Sequence, residues 1–506
     1  MTINNLSELT QDTLKKFQEA AKSTNAQDFT KDASTAGISQ STGLVWYDLQ
    51  APAKNLFPVL TPLRNSIPRV SGNGGTATNW KAVTVINANK LQGFVPEGRR
   101  NGVVITTEVD KAASYKTIEM EDSVTFEAER AAQNFENIRA TTAQRLLWAT
   151  MISEELAILG ANNSLALGSV AAVTVSGSAA GGTITSGSYN VYCVPLTLQG
   201  YQAASVSSTG VPNAVTVTSA DGGANITYGG GNGGSGVSGS CAVSGTGTNS
   251  ITAHVTVVNG ASAYAWYLGA SGSEVIAAIT TINSVSLTAN PSASNQNISA
   301  VTTDQSKNAY AFDGMLIQAY TANSGAYVKH LATGTDGTGS TLTSDSAAGI
   351  VEIDAMLKDR WDNYRLPFTK LYVSSQIVSD LTKKVVASGG APLFRLTANA
   401  ESGLNNIMGG TVIGSYLNKF SANGGTIIPI VLHPNMPPGT LMGVAETLPY
   451  PINNVPNVVE MKIRRDYYQI EWPLRSRKYE TAVEVDEVLA VYFPAAIGII
   501  DNIAAG

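Results

Sequence analysis

The sequence predicts an α+β protein with an all-β module inserted into it, and two observations lead to this fold class. Helical and strand-like patterns follow one another without the regular order of a βαβ protein. In addition, the long stretch from Leu156 to Thr303 contains only two charged residues, Asp221 and Glu274, although the chain has 32 Lys and Arg and 38 Asp and Glu. So sharp a change in composition marks a separate module, and 506 residues leave room for several domains.

The overall composition excludes several classes of protein. Charged residues make up only 14% of the chain, and the net charge is −6. An acidic chain is poorly suited to neutralising many phosphates, although it can still enclose nucleic acid. Two cysteines are too few to stabilise a fold of this length through disulfides, so we expect that the fold does not depend on them.

No segment has the pattern of a membrane span or an export signal. The most apolar run, Val488 to Ile500, is interrupted by Pro494 and is shorter than the roughly 20 residues that a span requires. The N-terminus is polar and lacks the apolar core of a signal peptide. We therefore expect a soluble protein that does not use Sec-type export.

The N-terminal part predicts a short amphipathic helix on a polar tether. Apolar residues recur at helical spacing, and Asn5 and Glu8 are placed as a capping pair. The polar tether then continues to about Ser41. The residues that the helix would present to a partner are Leu6, Leu9 and Phe17.

A β-hairpin with a long tip follows. Its strands are predicted at Lys81–Ile86, Val103–Asp110 and Tyr115–Ile118, around a tip from Leu91 to Gly102. An isolated two-stranded ribbon is marginal in water. Something must therefore cover its apolar residues, and a neighbouring copy of the same chain is the simplest candidate. These residues are Val83, Val85, Phe94, Val95, Val103, Ile105 and Val109.

The longest helical pattern begins after this hairpin. Asp122 or Ser123 is placed to cap it, acidic residues occupy its first turn, and Gly160 is its stop. Roughly 38 residues at about 1.5 Å each would span about 55 Å, and one kink is possible. The acidic residues around and within it are expected to be caps and solvated faces. They are Glu119, Glu121, Asp122, Glu154 and Glu155.

The weakly charged stretch reads as a β-sandwich of short β-branched runs separated by Gly, Asn and Ser clusters. The runs are Val170–Val175, Tyr189–Leu198, Ala214–Thr218, Ile251–Val258, Tyr264–Leu268, Glu274–Ile279 and Ser284–Thr288. The phrase from Ala263 to Gly269, followed by Glu274 to Ile276, resembles the central strands of immunoglobulin-like or fibronectin-type modules. Cys193 and Cys241 would be isolated thiols or would face each other across such a sandwich, and we expect isolated thiols.

The C-terminal part mixes two helices with several strands. A helix over Ile350–Tyr364 is capped near Asp345 or Ser346, and after a strand at Phe368–Val373 a second helix follows with Ser374 or Ser375 as its cap. Further strands are predicted at Thr426–Leu432, Val458–Ile463, Tyr467–Trp472 and Val488–Phe493.

Motifs of catalysis are scarce. The three histidines, His254, His330 and His433, are each alone in sequence, so metal sites and nucleophilic triads lack their usual residue. The glycine spacing from Gly231 to Gly236 opens no helix and does not indicate a dinucleotide site. The sequence at Asn225 matches the acceptor pattern for N-glycosylation, but we expect no glycosylation there because the sequence shows no export signal. We expect no enzyme activity, no catalytic or metal-binding residues and no cofactor.

Several local phrases together resemble the major capsid proteins of tailed bacteriophages, which have the Hong Kong 97-like fold. The phrases are Gly93–Arg99 in the hairpin, the helix that ends at Gly160, Phe312–Met315, the helix-strand-helix region from Ile350 to Val386 and Pro429–Thr440. The resemblance covers roughly residues 1–165 and 300–506.

The resemblance implies a division of the chain. Residues 1–66 would be an N-terminal arm, 67–118 the E-loop hairpin, 119–165 the spine helix of the peripheral domain, 166–303 the inserted immunoglobulin-like sandwich, and 304–506 the axial domain with the rest of the peripheral domain. In that family the subunits form hexamers and pentamers of an icosahedral shell around double-stranded DNA, without sequence-specific binding. The residues expected on a neighbouring subunit are Phe94, Pro96, Glu97, Arg99 and Arg100 at the E-loop tip, and Leu6, Leu9 and Phe17 in the N-terminal arm.

The resemblance further implies a virion protein that is assembled in the host cytoplasm with portal and scaffolding proteins, and with no membrane association. The inserted sandwich would decorate the outer surface, which fits its lack of Lys and Arg. Some members crosslink an arm lysine to a neighbour's asparagine. Lys81, Lys90 and Lys111 lie in or near the arm, but no partner is assigned to them and ordinary solvated lysines are expected.

Three alternatives remain open from the sequence. A surface adhesin or S-layer subunit would share the β-rich, acidic composition, but it predicts an export signal. A glycan-active enzyme with a fibronectin-like module predicts a cleft with aromatic residues and paired acids. An encapsulin-like compartment shell would share the fold and differ in its cargo.

Overall fold

The computed structural model describes residues 58–72, 74–86, 93–101, 106–132, 137–220, 222–301, 303–347, 349–387, 396–398, 405–407, 413–421, 425–449 and 457–506. The chain divides into two compact units. The smaller unit takes in Glu127–Ile138 and the N-terminal residues to Leu56, and the larger one Phe57–Phe126 and Arg139–Gly506. The predicted N-terminal helix with Leu6, Leu9 and Phe17 lies outside the described residues.

Helices form a minority of the described chain. In chain order they are α1 (Pro62–Ser66), α2 (Phe126–Ala131), α3 (Ile138–Gly160), α4 (Leu198–Ala203), α5 (Met315–Tyr320), α6 (Val351–Tyr364) and α7 (Ser375–Ala387). Two short 3₁₀ helices lie at Ile298–Ala300 and Pro494–Ala496. No helix in the described ranges combines the length and the apolar character needed to cross a membrane.

Strands dominate, and their mixture with helices confirms the predicted α+β class. Before α4 they are β1 (Arg69–Ser71), β2 (Ala77–Ile86), β3 (Thr106–Ser114), β4 (Lys116–Thr125), β5 (Thr174–Ser178) and β6 (Gly187–Leu196). Between α4 and α5 they are β7 (Ala214–Val217), β8 (Ile226–Gly229), β9 (Gly239–Val243), β10 (Ser250–His254), β11 (Ala263–Gly269), β12 (Val275–Thr280) and β13 (Ser284–Leu287). After α5 they are β14 (Tyr327–His330), β15 (Lys370–Val373), β16 (Leu396–Ala398), β17 (Asn405–Ile407), β18 (Ser415–Asn418), β19 (Thr426–Leu432), β20 (Leu441–Val444), β21 (Val459–Glu471), β22 (Lys478–Val491) and β23 (Ile497–Asp501).

The predicted start of the long helix is wrong, because this part of the chain belongs to a four-stranded sheet. Its strand order is β1-β21-β22-β4, and β4 pairs with β22 from Lys116 to Thr125. Asp122 and Ser123 therefore lie in a strand, opposite Thr481 and Glu480, and cap no helix. Helix α2 begins only at Phe126, and α3 is a separate element that begins at Ile138. Pairing with a strand more than 350 residues later in the sequence overrides the local helical pattern.

The end of α3 is at Gly160, as predicted. Close packing explains the glycines there. A Cβ atom on Gly314 would lie 2.6 Å from the Ala157 carbonyl oxygen, so only glycine allows the chain to approach this last turn. The neighbouring Asp313 accepts hydrogen bonds from the Asn163 and Ser164 N–H groups at 2.8 and 2.9 Å, which holds the chain as it leaves the helix.

A six-stranded sheet in the order β14-β23-β20-β15-β19-β18 organises the C-terminal part. Helices α6 and α7 confirm the two predicted helices, but the cap of α6 is Ile350 and makes no side-chain hydrogen bond. Asp345 instead closes the preceding turn, since its Oδ1 accepts from the Ala347 and Gly349 N–H groups at 2.7 Å. At α7, the Ser374 hydroxyl accepts from the Ile377 N–H at 3.5 Å, as expected of a cap. The two strands predicted at Val458–Ile463 and Tyr467–Trp472 are the single strand β21.

Besides the two-stranded sheet β7-β8, the weakly charged stretch contains two larger sheets, β13-β10-β5 and β12-β11-β6-β9. They share one core, in which Ile251 and Val285 of the first sheet pack with Trp266 and Leu268 of the second. The other side chains of β11, including Tyr267, enter a further core on the opposite face of the second sheet. Because β11 is buried on both faces, it reads as a continuous apolar run.

The chain enters and leaves this two-sheet region through adjacent segments. The Asn162 amide donates to the Ser306 carbonyl at 3.0 Å, and the Gly168 N–H donates to Asp304 Oδ2 at 2.7 Å. Cys193 is buried and Cys241 is half-buried, and both are free thiols, as predicted. Burial raises the pKa of the Cys193 thiol well above its usual value.

Candidate assembly surface

The two-stranded ribbon of β2 and β3, which we call the arm, is anchored at its base to the rest of its own chain. The Trp80 Nε1–H donates to the Val491 carbonyl at 3.0 Å, and the Val83 N–H donates to the Tyr492 carbonyl at 2.9 Å. Ala82 is fully buried in this contact. The prediction that something else, most simply a neighbouring copy, must cover the apolar residues of the ribbon is therefore wrong for its base, where the subunit itself supplies the cover.

A β-bulge lies at the point where the arm leaves the body. Val83 pairs with Glu108 and Val85 with Thr107, so Thr84 is an extra residue in β2. Thr84 is buried, and its carbonyl accepts from the Tyr364 hydroxyl at 3.1 Å. A bulge bends the strand that contains it and increases the local twist. The next residue, Val85, is already 38% exposed, so the bulge separates the anchored base from a distal part that faces solvent.

The tip of the arm is a preformed turn. The Arg99 N–H donates to the Pro96 carbonyl at 3.1 Å, and Gly98 has a φ of 76°. A positive φ at the third position with this hydrogen bond is typical of a type II turn, which favours glycine there. Residues Pro96 to Arg99 therefore hold a fixed shape without help from a partner.

Every described tip residue from Gly93 to Asn101 is exposed. Phe94 has the full exposure of an isolated side chain, 102%, and Val95 is 46% exposed. The predicted contact residues Phe94, Pro96, Glu97, Arg99 and Arg100 thus share one accessible turn. Their contact with a second copy stays a prediction. The other predicted contacts, Leu6, Leu9 and Phe17, and the side chains of Val103 and Ile105 lie outside the described residues.

Among the three lysines in or near the arm, Lys81 has the surroundings of a solvated side chain, whereas Lys111 is half-buried. Lys81 is exposed and lies 3.4 Å from Glu108 on the paired strand, with Asp110 at 4.0 Å. A solvent-exposed pair of this kind stabilises the fold little. Lys90 lies outside the described residues. The expectation of solvated lysines is thus met by Lys81.

The burial of the acidic pair Glu154 and Glu155 in α3 contradicts a second prediction. Both side chains are fully buried, whereas solvated helix faces were expected. Residues at intervals of four, Thr142, Leu146, Thr150, Glu154 and Ile158, form the buried stripe of α3.

Glu155 fixes the beginning of helix α1. Its Oε1 and Oε2 accept from the Leu63 and Arg64 N–H groups at 2.9 and 2.7 Å, which otherwise have no partner in the first turn. His433 Nε2 lies 2.6 Å from Glu155 Oε1, and His433 Nδ1 accepts from the Asn435 N–H at 3.1 Å. The Nδ1 contact places the ring proton on Nε2, so the histidine donates to the carboxylate.

Glu154 lies among two arginines and a tyrosine. It accepts from Arg64 Nε at 3.0 Å and contacts Arg69 and the Tyr467 hydroxyl. The Tyr467 ring also lies about 5 Å from each guanidinium carbon. Buried carboxylates persist when they are paired and hydrogen-bonded in this way. We call Arg64, Arg69, Glu154, Glu155, His433, Tyr467 and Glu487 the carboxylate cluster.

Glu487 is the third buried acid of the carboxylate cluster. Its nearest cation is Arg69, whose Nη2 lies 3.4 Å from Glu487 Oε2. Burial raises the pKa of Glu487 well above its usual value, and the charge of Glu154 raises it further. The cluster thus contains one acid that holds its proton at a higher pH than an exposed glutamate does.

The structure also places each of the other two histidines beside an acid. His330 Nδ1 lies 2.6 Å from Asp501, and His254 Nδ1 lies 2.9 Å from Asp336. Asp501 also accepts from the Tyr320 hydroxyl at 2.5 Å. These pairs join residues far apart in sequence, which is why no local spacing predicted them.

No family profile and no curated protein matches the sequence. Among solved structures, the capsid of cyanophage A-1(L) aligns over 92% of this chain and 98% of its own, with 11% identity and a TM-score of 0.43. The capsid of cyanophage P-SCSP1u aligns over 92% and 95%, with 9% identity and a TM-score of 0.38. The SrpI encapsulin complex from Synechococcus elongatus aligns over 94% and 95%, with 9% identity and a TM-score of 0.34. The structural neighbours of this α+β chain thus include phage capsid and encapsulin chains.

Proposed function

We propose that this protein is a shell-forming structural subunit whose arm lies on a neighbouring copy. The observation that supports the proposal is the contrast within the arm, whose base is anchored while Phe94 is fully exposed at the end of a preformed turn. Burying a phenylalanine side chain contributes about 1.5 to 3 kcal/mol. A fixed apolar tip that no described part of its own chain covers is suited to a partner rather than to water.

The specific form of the proposal is the major capsid protein of a tailed bacteriophage. Hexamers and pentamers would build an icosahedral shell around double-stranded DNA, in the virion, after assembly in the host cytoplasm with portal and scaffolding proteins. The two-sheet region would be the inserted immunoglobulin-like sandwich on the outer surface. The outer position is supported by the absence of Lys and Arg between Leu156 and Thr303, since a surface without these cations does not attract packaged DNA.

We further propose a structural rather than a catalytic role. The most unusual acids, Glu154 and Glu155, are fully buried and already engaged by arginines, backbone N–H groups and His433. A general acid or base must instead reach a substrate. The carboxylate cluster therefore fits a role in holding α1 against α3.

Assembly is tested with the purified full-length chain by light scattering and electron microscopy. We expect closed shells, tubes or rings, and a stable monomer at high concentration would contradict the proposal. Phe94→Asp should abolish assembly, because a charge at the tip cannot be buried without a partner. The matched control is Val237→Asp, which changes a residue of similar character, 65% exposed, outside the arm and should leave assembly intact.

The alternatives are separated by what the native particle contains and where the protein lies. Nuclease-resistant double-stranded DNA in particles from the source organism supports a virion, whereas protein cargo without DNA supports an encapsulin-like shell. Antibody labelling of intact, phage-free cells would support an adhesin or S-layer subunit. Hydrolysis of a polysaccharide panel would support a glycan-active enzyme.

A further inference from the structure

A polar cavity lies at the base of the arm, between β3 and the body of the chain. Its walls come from β2, β3, β22, α5 and the segment that leaves α3, and its volume is about 370 Å³. This volume falls within the range of about 300 to 1,000 Å³ that is usual for small-molecule sites. Ser114 and Ser164 line the cavity and are exposed, so its mouth opens at the surface of the chain.

Lys111 lines this cavity from the side of the arm that faces the body. It lies directly opposite Trp80 on the paired strand, and cross-strand partners share one face of a sheet. Lys111 is half-buried, although a lysine normally keeps its ammonium in water or beside an acid. No hydrogen bond or ion pair with another described residue engages this ammonium. Lys111 therefore offers an unengaged donor to the cavity.

Asp313 is the second charged residue of the lining, and it offers an acceptor. Its Oδ1 is already used by the N–H groups of Asn163 and Ser164, at 2.8 and 2.9 Å. Its Oδ2 accepts no hydrogen bond from the residues that the structure describes. Lys111 and Asp313 thus share one cavity without forming an ion pair with each other, and their charges balance.

Uncharged polar groups complete the lining. The side chains of Ser114, Asn163 and Ser164 form no hydrogen bond with any other described residue. Gln318 donates through Nε2 to two backbone carbonyls at 2.9 and 3.1 Å and keeps its Oε1 for another partner. Amides and hydroxyls between them supply both donors and acceptors. The cavity is therefore suited to a ligand that has many hydrogen-bonding groups and no net charge.

Trp80 supplies a rigid apolar wall. Its indole N–H donates to the Val491 carbonyl at 3.0 Å, which fixes the orientation of the ring. Phe312, which is buried, lines the cavity as well. Aromatic rings of this kind offer a flat apolar surface against which the C–H face of another ring can pack. The lining thus favours a ligand with an apolar face and a polar edge.

We propose that this cavity binds a neutral saccharide unit, whose ring packs on Trp80 and whose hydroxyl groups bond to Lys111, Asp313 and Asn163. Each hydroxyl can both donate and accept, so one ligand satisfies the donor-only ammonium and the acceptor-only carboxylate without adding charge. An anion would be repelled by Asp313 and a cation by Lys111. The surrounding amides and hydroxyls favour a polyhydroxylated ligand over an amino acid. This inference goes beyond the proposed function and does not depend on it.

Saturation-transfer nuclear magnetic resonance tests the site on the full chain, at a concentration below assembly. The probes are glucose, galactose, mannose and N-acetylglucosamine, with the free amino acid serine as a zwitterion and inorganic phosphate as an anion. We expect transfer to at least one sugar, with a dissociation constant of about 1 mM. The epimers should differ, because fixed polar groups distinguish the orientations of a hydroxyl. Transfer to serine or phosphate without transfer to a sugar would overturn the proposal.

Three substitutions locate the binding. Asp313→Asn keeps an acceptor for the backbone N–H groups but replaces the second oxygen by a donor, and Lys111→Met removes the ammonium. Each should weaken sugar binding about tenfold or more. Ser164→Phe narrows the mouth and should have the same effect without removing a charge. The matched control is Lys81→Met, which changes an exposed lysine next to Trp80 and should leave binding unchanged. Far-ultraviolet circular dichroism verifies that each variant is folded.

Two results would overturn the inference. One is the absence of saturation transfer to every sugar, and the other is sugar binding that survives all three substitutions, which would place the saccharide elsewhere on the molecule. Because the binding is measured on the unassembled chain, neither result bears on the proposed function, which the assembly experiment tests separately.

Discussion

The arm tip and the carboxylate cluster are opposite cases of burial. Phe94, an apolar residue, is 102% exposed, while Glu154 and Glu155, two charged residues, are fully buried. The acids are buried because their own chain brings backbone N–H groups, arginines and a histidine to them. Phe94 is exposed because no part of the chain that the structure describes packs against it. Burial therefore follows from what the rest of the molecule supplies, and a fixed apolar tip without such supply indicates a partner.

The largest effect is expected from removing an acid of the cluster. Glu155→Ala should lower the free energy of unfolding by about 3 to 5 kcal/mol, because it leaves buried donors without an acceptor. Urea unfolding followed by circular dichroism measures the loss. Glu97→Ala in the exposed tip is the matched control and should change stability by less than about 0.5 kcal/mol. Equal small effects would show that the cluster does not hold α1 in place.

A second pair of variants tests the border between the base and the distal part of the arm. Ala82→Leu adds atoms to a fully buried site, and we expect a loss of about 1 to 3 kcal/mol from overpacking. Val85→Leu makes a similar change three residues later, at a half-exposed site, and should be nearly neutral. A comparable loss in both variants would place the border beyond the Thr84 bulge.

The third prediction concerns pH. Because the pKa of Glu487 is raised in the folded chain, folding takes up a proton between the unfolded value of about 4.3 and the folded value, and stability falls as pH rises through that interval. Glu487→Gln cannot ionise and should gain about 1 to 2 kcal/mol over the natural chain at pH 8. The gain should vanish below about pH 4, where both side chains are neutral. Unfolding measured across this pH range checks the trend, and a gain that persists in acid would contradict it.

The smallest effect is expected at the tip. Phe94→Ser should leave the free energy of unfolding of the unassembled chain within about 0.5 kcal/mol of the original, since the side chain loses no contact there. Denaturant unfolding at a concentration below assembly provides the measurement. A loss above about 2 kcal/mol, the size of a buried side chain, would mean that the tip packs on its own chain.

Local patterns predicted much of the fold. The strands at Tyr264–Leu268 and Thr426–Leu432, the helix at Ile350–Tyr364 and the end of α3 at Gly160 are placed almost as expected. These elements have strong periodicity or a glycine stop within a few residues. The exposed tip was also predictable, because the turn from Pro96 to Arg99 is a local sequence signal.

The two largest failures have one physical cause, which is partners distant in sequence. β22 converts the expected beginning of the long helix into β4. Glu155 is engaged by residues 92, 91 and 278 positions away. No local pattern indicates that Leu63, Arg64 and His433 contact Glu154 and Glu155. The sequence alone therefore predicts that this acidic pair faces solvent.

The Thr84 bulge has a consequence for how the arm is oriented. Deletion of this one residue would leave Val83 opposite Glu108 and Val85 opposite Thr107 in a regular ladder, so every side chain would keep its partner and its face. The bend and the additional twist would be lost, and the outward course of the hairpin would change with them. A single additional backbone unit therefore sets the direction in which the arm leaves the subunit.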